Sequence, residues 1–345
     1  MKKLTIAAIL LATLGFAQAQ TNVSVYGNLD ASAQRITNAN GKTDTTSFAD
    51  GSVTSSIWGV KGTEDLGSGL NASFNVEGDI QTNNGGLNQN GIFRRQSNVG
   101  IGSSAGQILL GVKTNPMIAA HSALMPVYSN SFAISSTLGL GYADFFTKNA
   151  ITYISPTVAG VNAQLQYGAS NTVGEAPNGS MYAGNAVYKG NGLTLTAAGQ
   201  KRRGLGSTSS SNTGGDKTTW LVGGQYDIGR GLNVGLGYVN NNNAGVKVNN
   251  TQVGVGYQAN SALVLGVNYL KADNGDKLTN VLARYNLSKR TAVYTQYNVV
   301  QNASSMAISP VYVTTSTSPV VDIAGYAAAP NTRQTAIGAG IIHSF

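Results

Sequence analysis

The sequence predicts an all-β fold, a 16-stranded antiparallel transmembrane β-barrel with short periplasmic turns and long extracellular loops. Three observations carry that prediction. Apolar and polar residues alternate with period two through almost the whole chain, in runs long enough for a tilted membrane crossing of about 9–11 residues. The connections between runs alternate between tight and long. Tyrosines of outward parity close many runs, as they do where a barrel meets the two membrane interfaces.

The elements follow in order. Lys2 and Lys3, the apolar run from Leu4 to Phe16 and the small-x-small site Ala17-Gln18-Ala19 predict a signal peptide over 1–19, leaving 20–345 as the barrel. In "NVSVYGNLDASAQ", Val23, Val25, Leu29, Ala31 and Ala33 share one parity, and Ser24, Tyr26, Asn28, Asp30 and Ser32 the other. The same pattern predicts strands at 22–35, 53–64, 68–80, 92–103, 106–114, 148–156, 159–170 and 180–189. It continues at 192–203, 217–227, 231–241, 250–259, 262–272, 277–287, 289–302 and 333–345. "DLGSG", "SAG", "PTVAG", "DIGRG", "QANSA" and "NLSKR" are tight turns, whereas 36–52, 81–91, 115–147, 171–179, 204–216 and 303–332 are long. A soluble β-sandwich also alternates, but its strands are usually shorter, about 5–6 residues, and do not need tyrosines at both ends. Here Tyr226, Tyr257 and Tyr285 precede short turns, while Tyr238 and Tyr269 precede loops.

Composition narrows the function. Only 10% of residues are charged, against about 25% in ordinary globular chains, while Gly reaches 44 and Pro only 7. There is no Cys, so neither disulfides nor thiolate chemistry contribute. Without the two signal lysines, 20 basic and 14 acidic residues leave a net charge of +6. The positive residues are scattered, Lys201-Arg202-Arg203 being the one basic triplet, and export argues against nucleic acid as a partner. His121 and His343 are the only histidines, and neither has a carboxylate beside it in sequence. Catalytic residues, a metal site and a cofactor are therefore all expected to be absent.

Six stretches, "NVSVYGNLDA", "SSIWGVKGTEDLGSGLNASFNVEG", "GIFRRQSNVGI", "GQILLGVK", "NAITYISPTVAGVNAQLQYG" and "GIIHSF", occur in an order that resembles the general trimeric porins of the Gram-negative outer membrane, β-proteobacterial branch. The resemblance implies a homotrimer, in outer-membrane lipid and lipopolysaccharide, passing small hydrophilic solutes by passive diffusion. It also implies that the third loop, 115–147, folds inward as the constriction, and that "TNNGGLNQNG" latches a neighbouring subunit. Phe345 would be the assembly signal read by the barrel-assembly machinery.

Parity points Lys61, Lys113, Arg202 and Arg284 inward, with Glu77 and Asp30. For the tandem arginines it favours Arg94, whereas the family pattern favours Arg95, and both stay candidates. Asp144 is the one charge in the third loop. Relatives carry arginine where this chain has Ile57, Thr152 and Ile342, so the resemblance implies a weakened positive wall and weak anion selectivity. An alternative is a substrate-specific channel, with Tyr128, Phe132, Tyr142, Phe145 and Phe146 as an aromatic binding site in the lumen loop. The simpler role for those rings is to anchor the loop to the wall.

Overall fold

Hydrogen-bonded ladders account for most of the described residues in the computed structural model, which describes residues 22–38, 45–87, 91–127, 145–170, 179–204, 215–301 and 333–345. The signal segment 1–19 lies outside the described residues, as do Tyr128, Phe132, Tyr142 and Asp144. The strands are β1 (Asn22–Thr37), β2 (Thr45–Asp50), β3 (Ile57–Gly67), β4 (Leu70–Asp79), β5 (Gln96–Ser103) and β6 (Gly106–Thr114). After them come β7 (Phe146–Ile154), β8 (Val161–Gly168), β9 (Met181–Gly190), β10 (Leu193–Arg202), β11 (Lys217–Gly229) and β12 (Leu232–Asn243). The last are β13 (Val246–Gln258), β14 (Leu263–Ala272), β15 (Lys277–Asn286), β16 (Thr291–Gln301) and β17 (Arg333–Ser344).

From β3 onward each strand pairs antiparallel with the next, and β17 returns to β1, with Asn28 opposite Ser344 and Thr37 opposite Thr335. The sheet has no free edge, as lipid requires of a β structure. β2 and β3 both pair the same edge of β1, at Ala31–Ile36 and Asn22–Asn28 respectively. They are one wall strand interrupted at 51–56, so the closed barrel has sixteen wall positions.

That interruption corrects the expected strand 53–64 and loop 36–52. "GSVTSS" is small and polar enough to read as strand, but here it folds inward, Ser52 and Val53 buried. Asp30 holds it: one carboxylate oxygen accepts from Val53 N at 2.7 Å and Thr54 N at 2.8 Å, and the other from Tyr294 Oη at 2.6 Å. Val53 then packs on Val127, Leu282, Tyr294 and Ile342 inside the barrel.

Tight hairpins follow a shared chemistry. "DLGSG" and "DIGRG" each place Asp so that its carboxylate accepts the N–H of the glycine two residues on, Gly67 to Asp65 and Gly229 to Asp227, both at 2.8 Å. Ser68 and Gly69 (φ 52° and 78°) and Arg230 and Gly231 (53° and 81°) then take the double left-handed conformation of a type I′ turn. This turn matches strand twist, so register leaves the hairpin already fixed.

The outward face is apolar and exposed on the isolated chain: Val23, Ile101, Leu110, Leu165, Leu236, Val253, Val267 and Ile341 are examples. Tyr226, Tyr257 and Tyr285 near the tight turns, and Tyr238 and Tyr269 toward the opposite rim, share that face as the sequence predicts.

The inward face is polar over much of the wall, but not where the third loop lies. After β6 a short helix, Pro116–Ser122, is capped by Asn115, whose side chain accepts from Met117 N at 2.9 Å. The helix packs on β9 and β10, and residues 123–127 continue across β11–β14. Met117, Ala120, Leu124 and Met125 build an apolar core against Leu221, Val239, Leu270, Leu278 and Val300. The expected inward-folded loop is therefore a wall lining along its described part.

Glycine makes that fit possible. Inward-facing Gly223, Gly235, Gly254 and Gly266 form a stepped track over four adjacent strands, Gly223 opposite Gly237, Gly235 opposite Gly254 and Gly256 opposite Gly266. A Cβ at Gly235 would collide with Leu124 O, one at Gly254 would stand 2.7 Å from Met125 Sδ, and one at Gly266 2.6 Å from Val127 Cβ. Two hydrogen bonds peg the segment, from Gln225 Nε2 to Ala123 O at 3.3 Å and from Asn268 Nδ2 to Val127 O at 2.8 Å.

Candidate functional site

Charge in the lumen gathers on β3–β6 and the residues leading into β5, opposite the wall that the third loop covers. Glu77 and Asp79 lie at the end of β4, two residues apart and so on the same face. Arg95 bridges them, with Nε 2.8 Å from Glu77 Oε1 and Nη1 3.0 Å from Asp79 Oδ1. Arg94 Nε pairs with the second oxygen of Asp79. The Arg94 side chain is 2% exposed and that of Arg95 18%, so Arg95 is the one that reaches water. Both guanidinium groups approach the Phe146 ring, at 5.9 Å and 5.0 Å from its centroid.

Two lysines stand beside this cluster. Lys113 Nζ donates to Gln96 Oε1 at 2.8 Å, and Lys61 Nζ lies 4.9 Å from the centre of the Tyr26 ring. Tyr26 Oη in turn donates to Glu77 Oε2 at 2.7 Å and is 2.9 Å from Asn75 Oδ1. Among the described residues neither lysine has a carboxylate within ion-pair distance. Among the described residues the two arginines are matched by Glu77 and Asp79, so the lysines leave this wall with a surplus of two positive charges.

The predicted residues are thus distributed as follows. Lys61, Glu77, Arg94, Arg95 and Lys113 come together on one wall. Arg284 does not join them: it sits on β15 near the tight turn, its Nε 3.0 Å from Asn286 Oδ1. Asp30 is buried under the 51–56 segment and faces no water. The choice between Arg94 and Arg95 dissolves, because both precede β5 and parity has no strand there to count along. Asp79, missed from the sequence, has the parity of Glu77 and was open to the same count.

Of the loop aromatics, Phe146 is buried beneath the two arginines and Phe145 is 6.3 Å from it, centroid to centroid, and packs toward the apolar core. Both anchor the loop's return to the wall, Phe146 buried and Phe145 partly buried. His121 is fully buried in the lumen helix, where burial pushes it down to about 4 despite a hydrogen bond with Gln252.

A closed sixteen-strand barrel with an apolar belt and a polar, charge-lined interior defines an outer-membrane channel. A family profile described as Gram-negative porin matches residues 5–305, and the chain belongs to that family. The chain is 28% identical over 241 residues to Outer membrane porin protein 32 of Delftia acidovorans, covering 66% of this chain and 67% of that one. It is 32% identical over 189 residues to an outer membrane porin protein of Bordetella pertussis, spanning 49% of each chain. Among solved structures, the anion-selective porin from Comamonas acidovorans superimposes with a TM-score of 0.76 at 21% identity, covering 94% of this chain and 100% of the other. The trimer form of OmpT from Vibrio cholerae gives 0.63 at 16%, covering 94% and 99%. These two likenesses concern the fold. The chain is an outer-membrane porin, and the family and fold are those of channels.

Proposed function

We propose that the protein is a homotrimer whose three lumens pass small hydrophilic solutes by diffusion, with a weak preference for anions. The observation that carries the preference is the lysine pair Lys61 and Lys113, uncompensated among the described residues on a wall where the arginines are already matched. Fixed charge along a pore with low-dielectric walls concentrates the opposite ion. A surplus this small gives a modest bias. The test is a reversal potential across a salt gradient in a planar bilayer. A modest anion preference is expected, and a cation preference would overturn the reading.

The remaining partners follow from membership of this class. Residues 1–19 direct export, outer-membrane lipid and lipopolysaccharide surround the apolar belt, and the outward aromatic Phe345 is recognised by the barrel-assembly machinery. Support for the trimer comes from the fold likeness to an outer membrane protein solved in a trimer form. Chemical crosslinking of the folded protein should give a three-subunit band; a limit at one subunit would remove this part of the proposal.

A further inference from the structure

The basic triplet at 201–203 takes no part in the lumen cluster, yet two of its three members face the membrane. Lys201 has the outward parity of Leu195, and Arg203 lies with its guanidinium 5.9 Å from the centre of the outward Tyr182 ring. They sit at the long-loop end of β10, which in a barrel of this kind is the extracellular rim.

Beneath them the outer wall is hollow. Ladder register sets Leu165, Gly184, Gly199 and Trp220 in one row across β8–β11. The two glycines leave a floor without side chains between an apolar and an aromatic wall. The row above holds Tyr167, Tyr182 and Lys201, and the two tyrosine rings are tilted against each other at 5.0 Å. The resulting groove has a volume of about 550 Å³ and is open toward the lipid.

We infer that this groove, running down from Lys201 and Arg203, is a site for one phosphorylated lipid of the outer leaflet, its acyl chain on the glycine floor and its phosphate against the two cations. The inference rests on the membrane-spanning reading of the barrel and is separate from solute passage through it. Depth and charge favour this occupant. An apolar trough at membrane depth that ends in basic side chains at the rim matches an anionic headgroup joined to a hydrocarbon tail, and basic side chains near an anionic lipid surface attract it. The neighbouring charge is Asp216, 2.7 Å from Lys201 Nζ. Both partners are about half exposed, and such a pair is weak enough for a phosphate to compete with it.

The experiment is native mass spectrometry of the folded protein, released from detergent after incubation with lipid A, with dephosphorylated lipid A, or with lipid A plus inorganic phosphate. Lys201→Ala with Arg203→Ala should lower lipid A binding by roughly tenfold. Gly199→Leu should also lower it by filling the floor; a Cβ there would meet nothing closer than 3.9 Å, so the wall tolerates the change. Asp216→Asn should raise binding, and inorganic phosphate should leave it unchanged. Equal binding of the dephosphorylated lipid, displacement by inorganic phosphate, or no loss in Gly199→Leu would each overturn the proposal. Single-channel conductance of the variants reports on the channel independently, and it should match that of the unaltered protein because all the substituted residues point away from the lumen.

Discussion

Asp79 binds Arg94 and Arg95 at once, which makes it the residue whose loss changes the lumen most. Asp79→Asn removes the carboxylate that the buried Arg94 guanidinium and Arg95 share, a change that costs about 3 kcal/mol. It also adds one net positive charge to the wall, so thermal denaturation should come earlier while the reversal potential moves further toward anions. Lys61→Glu with Lys113→Glu moves the charge the other way, and the same measurement should then show cation preference. His121 supplies a dependence on pH. Its docked form refuses a proton down to about pH 4, whereas a released loop takes one up near the ordinary value of 6.5. The stability contributed by the neutral ring is complete above 6.5 and is lost as pH falls toward 4, by about 3 kcal/mol at the limit. Open-channel current noise should therefore grow between pH 6.5 and 4, and His121→Gln should abolish that growth. At this scale parity was a sound guide wherever a residue lay inside a strand, as for Lys61 and Glu77. It also set Asp30 inward, but the alternation does not show that a backbone turn takes that carboxylate, and at Arg94 and Arg95, which precede β5, there is no strand to count along.

Sixteen runs with period two were legible as strands because each buries one face and exposes the other, and most boundaries fall within a few residues of those seen. The exception is the stretch before β3, where a run of small polar residues satisfies the strand pattern and the inward turn equally well. The glycine track was legible only as spacing: "GLNVGLGY" and "TQVGVGYQ" show alternate glycines, but their use appears once register sets them beside one another. A side chain on that track acts on the loop, not on the strand that carries it. Gly235→Val should push residues 124–126 off the wall and alter single-channel conductance, while the heat-resistant barrel band on gels persists. The tight turns behave differently. Gly69→Ala and Gly231→Ala both force a left-handed alanine, at about 1 kcal/mol each. Only at Gly231 would the added carbon also collide with a neighbouring backbone oxygen, that of Gln258. Refolding yield should fall further for Gly231→Ala than for Gly69→Ala.

For the whole molecule, the sequence disclosed the barrel and its class through features repeated many times, so single errors did not matter. Selectivity was less legible because it depends on a small difference among a few charges, one of which, Asp79, changes the sum. The seam carries a consequence of its own. Phe345 exchanges backbone hydrogen bonds with Gly27, at 3.1 and 3.2 Å, and its ring lies over the missing side chain of that glycine. Ser344 Oγ is 3.1 Å from Asn28 Oδ1, a contact between residues 316 positions apart. Every other ladder joins wall strands that follow one another along the chain, but this one does not. Pairing at such separation is slow because the loop entropy must be lost before any bond compensates it. The last kinetic barrier is therefore the joining of β1 to β17, and an intermediate with every other ladder finished and two bare edges should accumulate just ahead of it. In refolding followed by time-resolved fluorescence, Gly27→Val, which sets a side chain in the place of the Phe345 ring, should slow the final phase and spare the earlier ones.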